Sequence, residues 1–198
     1  MSVNLQKGQK VDLSKDGGGT LSKVIVGLGW DVAETPRIGA RKEDSNVDCD
    51  AIAILCESNG KTNGIEDTVY FGNLEHSSKA VHHTGDNITG EGEGDDEQII
   101  VELNRIPDKF KKIVFAVSIY KGKEKKQHFG LINNAFIRAV DASTDKELFK
   151  YDLSENYSGK TGMIFGEFYR DGGKWKFAAI GEPVDNGSYV KDLVNLYL

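Results

Sequence analysis

Short runs of alternating or continuous apolar residues, separated by turn-forming segments, cover most of the 198-residue chain. Such runs predict strands, because alternation places successive side chains on opposite faces of a sheet. The runs are 3–13 (two short strands or a hairpin), 21–30, 47–56, 67–71, 99–103, 113–120, 133–141, 148–153, 162–170 and 175–181. Apolar residues at helical spacing in 189–198 predict a short closing helix. We therefore expect an all-β fold, a β-sandwich of two mostly antiparallel sheets with a few short helices.

Two further segments refine this picture. The almost wholly apolar run 113–120 predicts a central strand that is buried on both faces. The lysine-rich segment 121–127 that follows predicts a solvated hairpin or helix end. We find neither an internal repeat nor a linker, and we expect one domain over residues 1–198.

Composition narrows the class of protein and its partners. The mean hydropathy is −0.43, and no run approaches the roughly 18 apolar residues of a membrane-spanning helix. The first residues lack an apolar signal region, so we expect a cytoplasmic protein that does not span a membrane. A net charge of −6 and a pI near 5.3 argue against a nucleic-acid partner.

The acidity is concentrated in one glycine-rich segment, residues 85–97. Six of its thirteen side chains are carboxylates, and 80–104 contains no Lys or Arg. Two carboxylates about 6 Å apart repel by roughly 2–3 kcal/mol at an effective dielectric constant near 20. The segment is therefore either an extended, solvated loop or a cage for a hard divalent cation. An adjoining strand at 99–103 favours the cage.

A second pair of carboxylates precedes the apolar part of the strand predicted at 47–56. Asp48 and Asp50 share one face of that strand, because side chains two apart point the same way. The same face continues with Ile52 and Ile54, which are typical core residues. The pair is either a solvated strand end or a part of the same cation site.

Cysteine and histidine spacing argues against other metals. Cys49 and Cys56 lie seven positions apart in one strand, on opposite faces, which predicts buried core thiols rather than a disulfide or a zinc site. His82 and His83 are adjacent, so they cannot chelate one ion together, and we expect a surface or packing role for them. The acidic segment does not fit an EF-hand, because Ile88 and Gly90 stand at its third and fifth positions.

Several motifs together resemble the TerD family of tellurium-resistance and stress-response proteins over nearly the whole chain. The long acidic motif carries most of the specificity. The motifs are Gly27-Leu28-Gly29-Trp30-Asp31, Asp48-x-Asp50, the run from His83 to Glu97, Asn134-Ala135-Phe136-Ile137-Arg138, Tyr151-Asp152-Leu153-Ser154 and Phe165-Gly166-Glu167-x-Tyr169-Arg170. The resemblance implies a cytoplasmic, calcium-binding β-sandwich without known catalysis.

The resemblance also implies a set of metal ligands and two neighbouring calcium ions. The matching residues are Asp31, Asp48, Asp50, Asp86, Asn87, Thr89, Asp95, Asp96 and Glu97. Glu91 and Glu93 alternate with glycines, which favours side chains that point to solvent, so we do not expect them to be ligands. The implied partners are calcium and other stress-response proteins, including proteins at the inner membrane surface.

Three functions are compatible with these residues. The first is a calcium-dependent structural or interaction module, which an all-oxygen ligand set favours. The second is a metal-dependent phosphoester hydrolase, although the acidic segment has no cation of its own, and only Arg138 and Arg170 among the motif residues could supply one. The third is a cyclic-nucleotide sensor, since the resembling family includes members described as binding cyclic AMP.

Overall fold

The computed structural model describes residues 2–14, 19, 21–32, 47–86, 94–153 and 157–198. Its strands form two six-stranded sheets that face each other, which confirms the predicted β-sandwich. The strands are β1 (Val3–Leu5), β2 (Lys10–Asp12), β3 (Val24–Val32), β4 (Cys49–Glu57), β5 (Thr68–Val69), β6 (Val81–His83), β7 (Glu97–Val101), β8 (Phe110–Ile119), β9 (Ile132–Asp141), β10 (Lys146–Asp152), β11 (Gly162–Asp171) and β12 (Lys174–Val184).

The first sheet has the order β1-β10-β9-β3-β7-β6, and the second has the order β2-β12-β11-β8-β4-β5. Every neighbouring pair is antiparallel except β1 and β10. The hairpin alternative for residues 3–13 is wrong, because β1 joins the first sheet and β2 joins the second. The turn between them passes from one layer of the sandwich to the other, where each short strand extends a sheet edge.

Helical segments are few and short among the described residues. They are α1 (Gly122–Lys125), α2 (Val190–Val194) and the 3₁₀ turns Gly64–Asp67, Phe129–Leu131 and Asn195–Tyr197. The predicted closing helix is thus confirmed as α2 and the 3₁₀ turn after it. No helix in the described part of the chain is both long and apolar enough to cross a membrane.

Aromatic rings fill the space between the sheets. Phe149 of the first sheet stacks on Phe177 of the second, with ring centroids 4.2 Å apart. Phe168 meets Phe115 edge to face at 4.7 Å. Such pairs add to the free energy of burial, and in the edge-to-face pair the positive edge of one ring meets the negative face of the other. The predicted central strand is confirmed, because β8 lies between β11 and β4.

Strand β4 is buried on both faces, which explains its continuous apolar run. Ala51 and Leu55 point into the core between the sheets. Ile52 and Ile54 point outward, where Leu193 of α2 covers them in a second apolar cluster. The closing helix therefore shields the face of β4 that also carries Asp50.

The two cysteines take opposite faces of β4, as their spacing predicts. Cys49 belongs to the main core and Cys56 to the cluster under α2, and both are free thiols. Burial raises the pKa of Cys56 to about 11 and raises that of Cys49 as well. Both side chains therefore remain protonated near neutral pH, where a thiol is a poor nucleophile.

The packing of α2 against β4 gives the first testable expectation. Leu193→Ala removes a fully buried side chain, and we expect the free energy of unfolding to fall by about 2–5 kcal/mol in urea denaturation. Leu196→Ala, at a position that is 56% exposed on the adjoining 3₁₀ turn, is the matched control and should change little. Equal effects of the two substitutions would contradict this role for α2.

Candidate metal centre

Three carboxylates converge beside the end of β4 where the strand begins. Asp48 immediately precedes β4, Asp50 lies in it, and Asp86 follows β6 of the other sheet. Each offers one oxygen, and the three oxygens lie within 4.8 Å of one another. Among the described residues this is the group of three or more potential metal-ligating side chains that lie close enough to share one cation. The predicted common face of Asp48 and Asp50 therefore opens toward the acidic segment.

The triad of Asp48, Asp50 and Asp86 is electrostatically unsatisfied. Asp50 is only 3% exposed, and the hydroxyl of Ser118 donates a 3.2 Å hydrogen bond to it. Burial, followed by the repulsion of Asp48 and Glu97, raises the pKa of Asp50 to about 8. Burial also raises the pKa of Asp48, whose Oδ1 is buried without a hydrogen-bond partner among the described residues. A cation would relieve both effects.

The Asp95 carboxylate pairs with Arg138 and does not join the triad. Its side chain is 1% exposed and receives two hydrogen bonds from the guanidinium of Arg138, at 2.6 and 3.0 Å. Gln98 donates a third at 3.0 Å. Asp95 lies directly over Gly27 of β3, where a Cβ atom would come within 2.2 Å of its carboxylate. The glycine thus makes room for this ion pair, which clamps the end of the acidic segment onto the first sheet.

Glu97 links the two sheets behind the triad. Its Oε2 accepts hydrogen bonds from the backbone N–H of Ala51 at 2.6 Å and from His83 Nε2 at 3.2 Å. The N–H of Gly85 donates to His83 Nδ1, so a neutral His83 carries its proton on Nε2 and donates it to Glu97. Since β5 pairs only with Ala53 and Ile54, Glu97 caps a part of β4 that no described strand pairs on that side.

Asp31 and Asp96 line a cleft of about 630 Å³ with Trp30 and Phe136. The side-chain amide of Asn134 donates to Asp31 at 2.7 Å, and the backbone N–H of Trp30 donates to Asp96 at 2.8 Å. Burial raises the pKa of Asp96, with a further contribution from the neighbouring Asp31. These two carboxylates lie near each other but outside the triad.

The structure thus separates the predicted ligands into groups. Asp48, Asp50 and Asp86 come together, Asp31 and Asp96 share a cleft, and Asp95 and Glu97 each hold a structural contact. Asn87 and Thr89 lie outside the described residues and stay predictions. Arg138 reaches the acidic segment, whereas Arg170 pairs with Asp108 and the carbonyl of Ile106 instead.

Sequence reasoning missed two residues beside the triad. Lys125 of α1 places its ammonium 3.9 Å from Asp48 Oδ2, a contact that the expectation of a solvated hairpin or helix end at 121–127 does not include. His83, for which a surface or packing role was expected, positions Glu97. The alternation in β6 could have indicated a buried His83. Nothing in the local pattern indicated Lys125, because its contact depends on how the end of β8 folds back.

The Asp95 clamp gives the second expectation. Arg138→Gln leaves the buried carboxylate without its ion-pair partner, so we expect a loss of stability on the order of 2 kcal/mol or more. Urea denaturation measures it. Arg105→Gln, which removes an exposed Arg–Glu pair with Glu102, is the matched control and should leave the midpoint almost unchanged. An unchanged midpoint for Arg138→Gln would show that Asp95 does not depend on this contact.

The comparisons with known proteins agree with the motifs. The family model "TerD domain" matches residues 1–197. The stress response protein SCP2 of Bacillus subtilis (strain 168) is 46% identical over 202 residues, covering 100% of both chains. The tellurium resistance protein TerD of Serratia marcescens is 43% identical over 187 residues, covering 94% of this chain and 93% of the relative.

A solved structure shares the fold. The crystal structure of a homologue of telluride resistance protein (TerD) from Streptomyces coelicolor A3(2) superposes with a TM-score of 0.63 at 21% sequence identity. The match covers 84% of this chain and 92% of that one. The domain match over residues 1–197 and relatives above 40% identity along almost their whole lengths lead to one conclusion: the chain belongs to the TerD family of tellurium-resistance and stress-response proteins.

Proposed function

We propose that the protein binds a divalent cation, calcium, through Asp48, Asp50 and Asp86. The observation that carries the proposal is the convergence of three carboxylate oxygens within 4.8 Å of one another. Nothing but Ser118 and Lys125 offsets their charge among the described contacts of these three side chains. A cation between them would remove their mutual repulsion and would satisfy the buried Oδ1 of Asp48.

The donor chemistry favours calcium. The three groups are all carboxylates, and hard oxygen ligands suit calcium and magnesium better than zinc or copper. Calcium accepts six to eight oxygens in flexible geometry, whereas magnesium requires near-ideal octahedral geometry. Asp86 is exposed, so one side of the triad is open for further oxygens. We propose Asn87 and Thr89 among them, as the family resemblance implies.

A second calcium ion was expected from the resemblance, and we propose Asp31 and Asp96 as its ligands. The two side chains line one cleft, and repulsion between them contributes to the raised pKa of Asp96. Asp95 and Glu97 are the less suitable residues of the predicted set. Their carboxylates already accept two or more hydrogen bonds each from Arg138 and Gln98, or from Ala51 and His83.

We further propose that calcium acts structurally rather than in catalysis. Asp48 and Asp50 belong to the β4 segment of the second sheet, and Asp86 follows β6 of the first, so an ion between them ties both sheets to the acidic segment. This ordering would present a surface to other stress-response proteins in the cytoplasm, including proteins at the inner membrane surface. The names of the relatives describe tellurium resistance and stress response, which fits such a module.

Calorimetric titration of calcium into chelator-treated protein tests the proposal. We expect a dissociation constant of about 10 μM or tighter, with much weaker binding of magnesium. Asp86→Asn should abolish binding without unfolding the protein, because Asp86 is exposed. Asp12→Asn, which alters an exposed carboxylate on β2, is the control and should bind calcium like the unaltered protein. Absence of binding heat and of any calcium-dependent shift in melting temperature would refute the proposal.

The raised pKa of Asp50 predicts the pH dependence. With a pKa of about 8 in place of 3.8, the carboxyl holds a proton at pH 7 that calcium must displace. We expect calcium affinity to rise by up to about tenfold per pH unit below pH 8, with a proton released on binding. Titrations at pH 7 in two buffers of different protonation enthalpy measure that proton, and titrations above pH 8 are the control.

In the calcium-free protein, the free energy of unfolding should change with pH in the direction opposite to calcium affinity. The folded state keeps the Asp50 proton to higher pH than the unfolded chain does, so the free energy of unfolding should fall as pH rises from about 4 to about 8. A pH-independent calcium affinity over the same range would contradict the assignment of Asp50 as a ligand.

A further inference from the structure

The turn that follows β8 places the ammonium group of Lys125 beside the carboxylate triad. Lys125 Nζ lies 3.9 Å from Asp48 Oδ2 and 5.2 Å from the centroid of the Tyr120 ring. Lys121 Nζ lies 5.1 Å from the centroid of the same ring. Two ammonium groups therefore lie close to the Tyr120 ring. The backbone N–H of Tyr120 donates to the carbonyl of Asp48 at 2.9 Å.

This turn is anchored and is not a loose tip. The backbone N–H groups of Lys121 and Lys123 bind the carbonyl and the hydroxyl of Ser188 at 3.1 and 3.2 Å. The Tyr120 ring meets Tyr189 edge to face at 6.2 Å, and the hydroxyl of Tyr189 donates to Glu124 at 2.7 Å. The position of Lys125 beside the triad is thus set by the fold.

The backbone of the turn also favours a role for its side chains. Lys121 has φ of 54° and Lys126 has φ of 56°, in the left-handed region that glycine and asparagine adopt more easily. Non-glycine residues in this region cluster at binding sites, where the surrounding structure over-determines them.

A cation in the triad would change the electrostatic environment of Lys125. Taken as ionised, the three carboxylates and the ammonium group of Lys125 carry a formal charge of −2, and a divalent cation brings it to zero. Lys125 then loses the attraction of Asp48 and is repelled by the ion itself. Calcium, in turn, needs oxygens beyond the three carboxylates, and the exposed side of Asp86 is open to them. One oxyanion can contact the ion and Lys125 together.

We propose that a phosphomonoester group binds between the cation in the triad and the ammonium group of Lys125. A dianionic phosphate would supply an oxygen to the ion and present another to Lys125, which binds phosphate as a point charge. The proposal depends on the cation site proposed above and adds the ligand that this site would recruit. Binding of cation and phosphate is then reciprocal, since each raises the affinity for the other.

Calcium titrations with and without glycerol phosphate test this coupling. In the unaltered protein we expect glycerol phosphate to tighten calcium binding about 5- to 10-fold. Lys125→Gln should remove this enhancement. Without phosphate, the same variant should bind calcium at least as tightly as the unaltered protein, because an opposing ammonium is gone. These opposite effects cannot come from a misfolded variant.

Lys10→Gln is the matched control. Lys10 also lies over a tyrosine ring, 5.5 Å from the centroid of Tyr169, but it belongs to β2 at the other edge of the sheet. It should leave the enhancement intact. Calcium binding without any phosphate enhancement, or an enhancement that survives Lys125→Gln, would overturn the phosphate site alone. Failure of calcium to bind at all would overturn both proposals.

The phosphomonoester can be soluble or the headgroup of a lipid. Sedimentation with phosphatidylcholine vesicles, with and without phosphatidic acid, separates these sources. Calcium-dependent binding to phosphatidic acid that glycerol phosphate competes away and Lys125→Gln abolishes would identify a headgroup. Enhancement by glycerol phosphate without vesicle binding would identify a soluble ester. Vesicle binding that neither competitor nor variant affects would indicate general charge attraction and would contradict the site.

Discussion

The repulsion among neighbouring carboxylates is the constraint on which this end of the molecule depends. At Asp95, Asp96 and Glu97 the repulsion is offset because each of the three consecutive acids binds its own donors. Asp95 pairs with Arg138, Asp96 accepts the N–H of Trp30, and Glu97 accepts from His83 and Ala51. These contacts fix residues 95–97 to the first sheet and connect them to β4. The same solution does not extend to the triad, where Asp48, Asp50 and Asp86 remain close together with few donors.

The motifs of the family therefore have distinct physical roles. Gly27 is required by the Asp95 carboxylate above it, and Gly29 by the Phe136 ring, which would lie 2.4 Å from an added Cβ. Arg138 completes the clamp. The Asp48-x-Asp50 motif instead supplies two members of the triad. The long acidic motif therefore has two structural residues, Asp95 and Glu97, and a proposed metal-binding part that includes Asp86 and Asp96.

The sequence was most informative where the relevant contact is local. Alternation in residues 47–56 predicted a strand with Asp48 and Asp50 on one face and the two cysteines on opposite faces, and the structure agrees. It could not separate Asp95 from the triad, because Arg138 lies 43 positions away and becomes its neighbour only through the pairing of β3 with β9. The placement of β1 and β2 in different sheets and the approach of Lys125 to Asp48 likewise depend on the tertiary fold.

The most direct test of the proposed calcium site is to locate the bound ion. Anomalous X-ray scattering from crystals grown with calcium, or with manganese as a stronger anomalous scatterer, would place the metal independently of any binding assay. We expect a peak between Asp48, Asp50 and Asp86, with carboxylate oxygens about 2.3–2.6 Å from calcium. Unoccupied carboxylates at saturating calcium, or an ion held by Asp95 and Glu97 in place of their present partners, would contradict it.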